Sequence, residues 1–208
     1  MKLVFYSAPI SSASPVASAL VELGIPHEVV HFDLSKDDHK RPEYLAINPN
    51  GKVPALVADG TPMFEAVAIQ IWLGDRFGVE KGLWPAIDDP ARMQALAWCT
   101  WAYVSYGSTV VRLQFSSSER VERALHNKPQ EEQARRQLDA LLGILEAHLE
   151  KRGTMLGGGF SLVDLCVASV VGYSLWFGVS LATHPHVKSW LDRFQARDSY
   201  QTVMKRSA

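Results

Sequence analysis

The chain reads as a small α/β domain followed by an all-helical one. Over the first eighty residues short β-type runs alternate with helical ones, and the third and fourth strands are joined by Asp59-Gly60, a residue pair suited to a tight hairpin. From Pro90 onward every long segment repeats its apolar residues at helical spacing, as in Ala134, Leu138, Leu141, Leu142, Leu145 and Leu149. The division that follows is an α/β domain over residues 1–78, a linker over 79–88 containing Gly82 and Pro85, and a helical domain over 89–208.

Lys2 to Tyr6 reads as a buried strand. Ser14-Pro15 then supplies an N-cap and a proline at the first helical position, so a helix is expected from there to Gly24. His27 to Leu34 returns to β-type composition, while Ser35 to Asn48 is polar, holds Pro42, and reads as a connection with one helical turn. Pro54 to Ala58 is the third strand and the stretch around Met63 the fourth, followed by a helix over Glu65 to Phe77 that Gly78 closes. In the second half Gly153 ends the long helix. Ser161 with Asp164 three residues on forms a capping box for the next, and a final helix from about Pro185 turns Val187, Trp190, Leu191 and Phe194 inward.

Composition removes several functions. The balance of 21 Lys+Arg against 22 Asp+Glu gives a net charge of -1, and the basic residues are dispersed, which argues against nucleic acid as a partner. Cys99 and Cys166 are the only cysteines and sit in apolar surroundings, so no disulfide framework or cysteine-based metal site is expected, and a cytoplasmic location follows by default. The pairs His27/His31 and His184/His186 lack a further ligand at useful spacing, so no metal is expected. Leu165 to Thr183 is uncharged and long enough to span a bilayer, but its serines and glycines and the lack of a second span favour the centre of a helical domain; no membrane partner is expected.

The sharpest local feature is Asn48-Pro49-Asn50-Gly51-Lys52-Val53-Pro54-Ala55-Leu56. Two prolines bracket Asn-Gly, so the chain must turn before it enters a strand, and Pro54 at that junction is a candidate cis residue. The Val53 amide and carbonyl would then be free to meet an extended, peptide-like ligand. Glu65 and Ala66 open the second helix, whose unpaired N–H groups favour a carboxylate, while the Glu65 side chain suits an ammonium. His39, Lys40 and Lys52 add cations for a second carboxylate, although Lys40 also reads as an ordinary solvated side chain.

These residues, together with Phe64-Glu65 and Phe160-Ser161-Leu162-Val163-Asp164-Leu165, resemble the cytosolic glutathione transferases over nearly the whole chain, with bacterial members of the serine type or near the beta class the nearest in pattern. The resemblance implies a thioredoxin-like N-terminal domain and an all-α C-terminal domain, glutathione as co-substrate, and a homodimer acting in detoxification. It implies that Val53, beside cis Pro54, bonds the cysteinyl backbone of glutathione, that Glu65 and Ala66 hold the γ-glutamyl group, and that His39 and Lys52 meet the glycine carboxylate. It also implies that Asp164 caps its helix. The family usually has Ser where this chain has Ala66, which costs one hydroxyl contact to the γ-glutamyl carboxylate, worth about 1 kcal/mol.

A thiol of pKa near 8.5 supplies little thiolate at neutral pH, so the protein must donate a hydrogen bond to sulfur. Tyr6, Ser7, Ser11, Ser12 and Ser14 lie between the first strand and the first helix, and Ser14 is expected to cap that helix. The resemblance favours Ser11, then Ser12, then Tyr6. With no cysteine before Cys99, mixed-disulfide chemistry on the protein is disfavoured, leaving transfer to an electrophile or peroxide reduction by free glutathione. A non-catalytic binding or regulatory relative is the alternative. Trp98, Trp101 and Tyr106 are the preferred lining of a pocket for a hydrophobic electrophile, against the plainer reading of such aromatics as core.

Overall fold

The computed structural model describes residues 1–119 and 121–207, the last two in backbone only. It divides into two compact units, one of Met1–Ile87 joined by the chain from Ala196 onward, the other of Asp88–Gln195.

In the first unit, β1 (Leu3–Ser7), α1 (Ser14–Glu22), β2 (Glu28–His31), α2 (Pro42–Leu45), β3 (Ala55–Ala58), β4 (Thr61–Phe64) and α3 (Ala66–Leu73) succeed one another. Two short 3₁₀ turns, Leu34–Lys36 and Asp38–Lys40, fill the polar connection before α2. The sheet order is β2-β1-β3-β4, parallel between β1 and β2 and antiparallel elsewhere. Asp59 and Gly60 both take positive φ, the condition for a two-residue hairpin that matches strand twist. Pro62 is accommodated because β4 is an edge strand. Leu3 and Phe5 alternate inward from β1 and join Leu20, Leu23, Ile69 and Leu73 in the core, each burial worth about 1.5–3 kcal/mol.

The second unit contains α4 (Ala91–Trp101), α5 (Ser108–Ser117), α6 (Lys128–Arg152), α7 (Leu162–Ser174) and α8 (Pro185–Gln195). Nearly every residue of α7 from Leu162 to Val171 is buried, which accounts for its apolar character on all sides. The uncharged run that begins in α7 is broken by the turn Leu175–Phe177 and by Gly178 at φ 74, and no helix among the described residues is long and apolar enough to cross a membrane. Cys99 and Cys166 are both fully buried, and the hydrogen bond that the neutral Cys166 thiol shares with Cys99, together with burial, pushes it well above its ordinary value. Such thiols are unreactive packing groups.

The structure corrects three expectations. Ser14 does not cap α1: Ala13 holds that position without a side-chain bond, and Ser14 is the first helical residue. The helix after β4 is not uniform, because α3 passes into a π turn over Gly74–Gly78, where Trp84 packs so closely on Gly74 that a β-carbon there would lie 2.5 Å from its ring. Finally, α8 is not the last helix. A further one, α9 (Asp198–Ser207), follows and lies on α1, so the end of the chain belongs to the first unit and not to a helical domain over 89–208.

Candidate functional site

The ends of three strands meet at one side of the first unit's sheet. Tyr6 in β1 pairs with Ala55 in β3, and Ala55 pairs with Phe64 in β4, so one step beyond this register lie Ser7, Pro54 and Glu65. The Val53–Pro54 peptide bond is cis.

The turn before Pro54 is fixed by side chains that take three successive carbonyls. Lys40 Nζ donates to Gly51 O at 3.1 Å, Tyr44 Oη and Asn48 Nδ2 both donate to Lys52 O at 2.6 Å, and Ser12 Oγ donates to Val53 O at 2.7 Å. Buried Asn48 also accepts from the Asn50 backbone at 3.1 Å, and Gly51 adopts φ 53 against the His39 carbonyl and the Lys40 ammonium. Burial pushes the Tyr44 hydroxyl up to about 12, so it remains a donor at any ordinary pH. With the carbonyls occupied, the Val53 N–H has no hydrogen-bond partner among the described residues. Chemically the turn presents a donor beside an ordered, extended backbone.

Around this donor the other candidate groups fall as follows. Ser11 Oγ donates to Ala8 O at 2.7 Å and accepts from the Ala13 N–H at 3.2 Å, in a turn where Ile10 is held at φ 46. Glu65 is exposed at φ 73, without a side-chain bond among the described residues, directly before the free amides of the first turn of α3. Left-handed φ values at non-glycine residues are costly and concentrate at functional positions; Ile10 and Glu65 flank the turn from both sides. Ala66, at the first position of α3, is buried. His39 carries a buried Nδ1 without a protein partner, and Lys52 is exposed and free of ion pairs among the described residues. Tyr6 packs its ring on Phe32 and Tyr44, at centroid distances of 5.8 and 5.3 Å.

The aromatic set of the second unit divides. Trp101 borders an open groove of about 480 Å³ along α4 with Leu96, Thr100 and Val104. Trp98 instead packs on Trp101 at 5.2 Å and on His148 of α6 at 4.6 Å, and does not border that groove. Tyr106 is a core residue: it is fully buried, its hydroxyl shares a 2.8 Å hydrogen bond with Ser174, and burial pushes it up to about 12. This follows from a π turn over Ala102–Gly107 between α4 and α5, where residues five apart share a face, so its ring packs on that of Trp101 at 5.7 Å inside the core.

Sequence reasoning missed Tyr44 and left Lys40 on the surface, although both hold the turn. Asn48 lies within the recognised motif, and its spacing to Lys52 is the signal for its bond.

Residues 11–76 match the glutathione S-transferase N-terminal domain, and residues 99–198 match the glutathione S-transferase C-terminal domain. The chain belongs to the glutathione S-transferase family. It is 30% identical to glutathione S-transferase 3 of Zea mays, over 97% of this chain and 93% of that one. It is 26% identical to a disulfide-bond oxidoreductase of Escherichia coli, covering 92% of this chain and 89% of the other. Among solved structures, a glutathione transferase from Burkholderia graminis with two glutathione molecules bound per subunit superposes with a TM-score of 0.87 at 28% identity, over 98% of this chain and 88% of that one. A glutathione transferase from Phanerochaete chrysosporium reaches 0.89 at 22% identity, a likeness of fold.

Proposed function

We propose that this family member binds glutathione at the turn before Pro54 and transfers it, as the thiolate, to a hydrophobic electrophile. The observation that carries the reading is the unpartnered Val53 N–H beside a cis proline, with the flanking carbonyls already taken. Such a donor pairs with the cysteinyl carbonyl of an extended peptide. Glu65 receives the γ-glutamyl ammonium, the first amides of α3 from Ala66 onward receive its carboxylate, and His39 and Lys52 meet the glycine carboxylate.

Ser11 is the proposed donor to sulfur. Its oxygen already accepts the Ala13 N–H, which polarises the O–H bond, and turning the proton from Ala8 O toward the thiol costs only one local hydrogen bond. Ser12 is the second choice, because its proton holds the Val53 carbonyl, and Tyr6 the third, because its ring sits among Phe32 and Tyr44. The bound thiolate attacks the electrophile, the new bond to sulfur displaces the leaving group, and the thiol proton leaves to solvent. Of the aromatic set Trp101 is retained as a contact for the electrophile. The same reading includes assembly as a homodimer, which light scattering on the purified chain tests.

Titrating purified protein with glutathione while following thiolate absorbance tests the central step. A catalyst lowers the bound thiol's pKa below that of free glutathione; an unchanged pKa would make the chain a binding module. The Escherichia coli relative favours a second reading, glutathione-dependent reduction of a disulfide or peroxide, in which glutathione supplies the redox thiol because residues 1–98 contain no cysteine. Parallel assays with an aromatic halide, cumene hydroperoxide and a small disulfide separate the two.

A further inference from the structure

The face of the sheet opposite Tyr6 holds a second cavity, built from groups that the proposed reaction does not use. Parallel pairing of Phe5 with Val29 and Ser7 with His31 puts these four side chains on one face, and all four border the cavity. Ala17 and Val21 of α1 form one wall, and Val203 of α9 closes it from above. That helix is held in place through Glu22, which receives the Arg197 guanidinium and, at 2.6 Å, the Ser199 hydroxyl.

The volume is about 50 Å³. One water needs roughly 10–15 Å³ on this measure, so there is space for about four groups of that size. Ser7 is only 7% exposed, and its hydroxyl, which faces the cavity, has no hydrogen-bond partner among the described residues. Ser14 also borders it, and its hydroxyl caps nothing. His27 Nδ1 lies 2.7 Å from Ile25 O, and since a carbonyl only accepts, this nitrogen is the donor. The N-terminal turn of α1 adds partial positive charge, and no Asp or Glu among the described residues borders the space.

A cluster of waters fits poorly, since each needs two to four polar partners and the walls at Val21, Val29 and Val203 are apolar. A phosphate fits poorly too, since no Lys or Arg among the described residues borders the cavity. We propose that the cavity binds a short-chain monocarboxylate, its oxygens on the Ser7 and Ser14 hydroxyls and its alkyl group against the three valines. Ala8 borders the cavity and also accepts the Ser11 hydroxyl, so the ligand sits directly behind the turn that carries Ser11.

The test uses the isotope-labelled full-length chain without glutathione, so its outcome is independent of the proposed transferase activity. Sodium propionate is titrated at pH 7 against sodium chloride of equal ionic strength, and amide resonances are followed by NMR. Saturable shifts centred on Ser7, Ala8, Ser14 and His31 are expected, absent with chloride, with affinity falling at least tenfold in Ser7→Ala. Ala17→Leu, which fills the space, should abolish the shifts; should that variant not fold, Ser7→Ala decides. Propanamide should bind at least tenfold more weakly than propionate. Shifts that rise without saturating, that chloride reproduces, that centre elsewhere, or that Ser7→Ala leaves unchanged would overturn the proposal, and equal binding of propanamide would overturn the choice of an anion.

Discussion

Ser11 has one proton to give, and within its turn it goes to Ala8 O while the oxygen accepts from Ala13. Redirected to a thiolate, that proton makes a hydrogen bond to a charged group, worth about 1.5–3 kcal/mol, which corresponds to roughly one to two pKa units on sulfur. Ser11→Ala is therefore predicted to raise the bound thiol's pKa by about that amount and to slow conjugation at least tenfold, with glutathione affinity changed less than threefold. Stopped-flow thiolate absorbance and calorimetry check the two halves separately; an unaltered rate would transfer the role to Ser12 or Tyr6. The Glu65 side chain makes no bond among the described residues, so Glu65→Ala should leave stability nearly unchanged while weakening glutathione by about 2–3 kcal/mol. An affinity within twofold of the native value would remove the ammonium contact. At the neighbouring position Ala66→Ser should strengthen binding by about 1 kcal/mol, since it returns the hydroxyl that the family usually has there.

At the scale of elements, what was legible in the sequence is what is decided locally. Residues 48–56 announce their turn because Pro49, Asn50-Gly51 and Pro54 each restrict the backbone on their own. Ser161 and Asp164 announce a helix start, and the structure shows the reciprocal cap. The positions of Lys40 and Tyr44 on that turn depend instead on a chance of tertiary approach with no periodic signature, and the π turn at Ala102–Gly107 defeats counting by 3.6. Asp164 does more than its motif suggests: besides Ser161 it accepts the Met155 N–H at 2.8 Å and Trp190 Nε1 at 2.9 Å, so it joins the loop before α7 to α8. Removing it leaves several buried donors unpaired, and Asp164→Ala is predicted to cost about 2–4 kcal/mol of stability. Chemical denaturation measures this directly, and turnover per folded molecule should be unaffected; a kinetic defect in a fully stable variant would contradict a purely structural role.

At the scale of the molecule, helical periodicity identifies a helix but not the unit on which it packs, and this is why α9 escaped the sequence reading. Its place is set by Glu22, near the end of α1, which receives Arg197 Nε at 3.1 Å, a second bond from the same guanidinium, and the Ser199 hydroxyl, tying positions 175 residues apart and more. Burial alone would raise the Glu22 carboxyl, but the bonds from Arg197 and Ser199 outweigh it and hold the group below its ordinary value of 4.5. A carboxyl depressed in the folded state binds fewer protons there than in the unfolded chain, so its contribution is complete above about pH 4.5 and disappears as pH falls through the lowered value. Glu22→Gln should accordingly lose about 1–2 kcal/mol at pH 7, a fall in thermal midpoint of about 2–8 °C, and progressively less as the pH falls from 4.5 through the lowered value. Melting both proteins across this range checks the sign: a gap that narrows on acidification supports the charged clasp, whereas a gap constant with pH would show that α9 is held by apolar contacts such as Val203 alone.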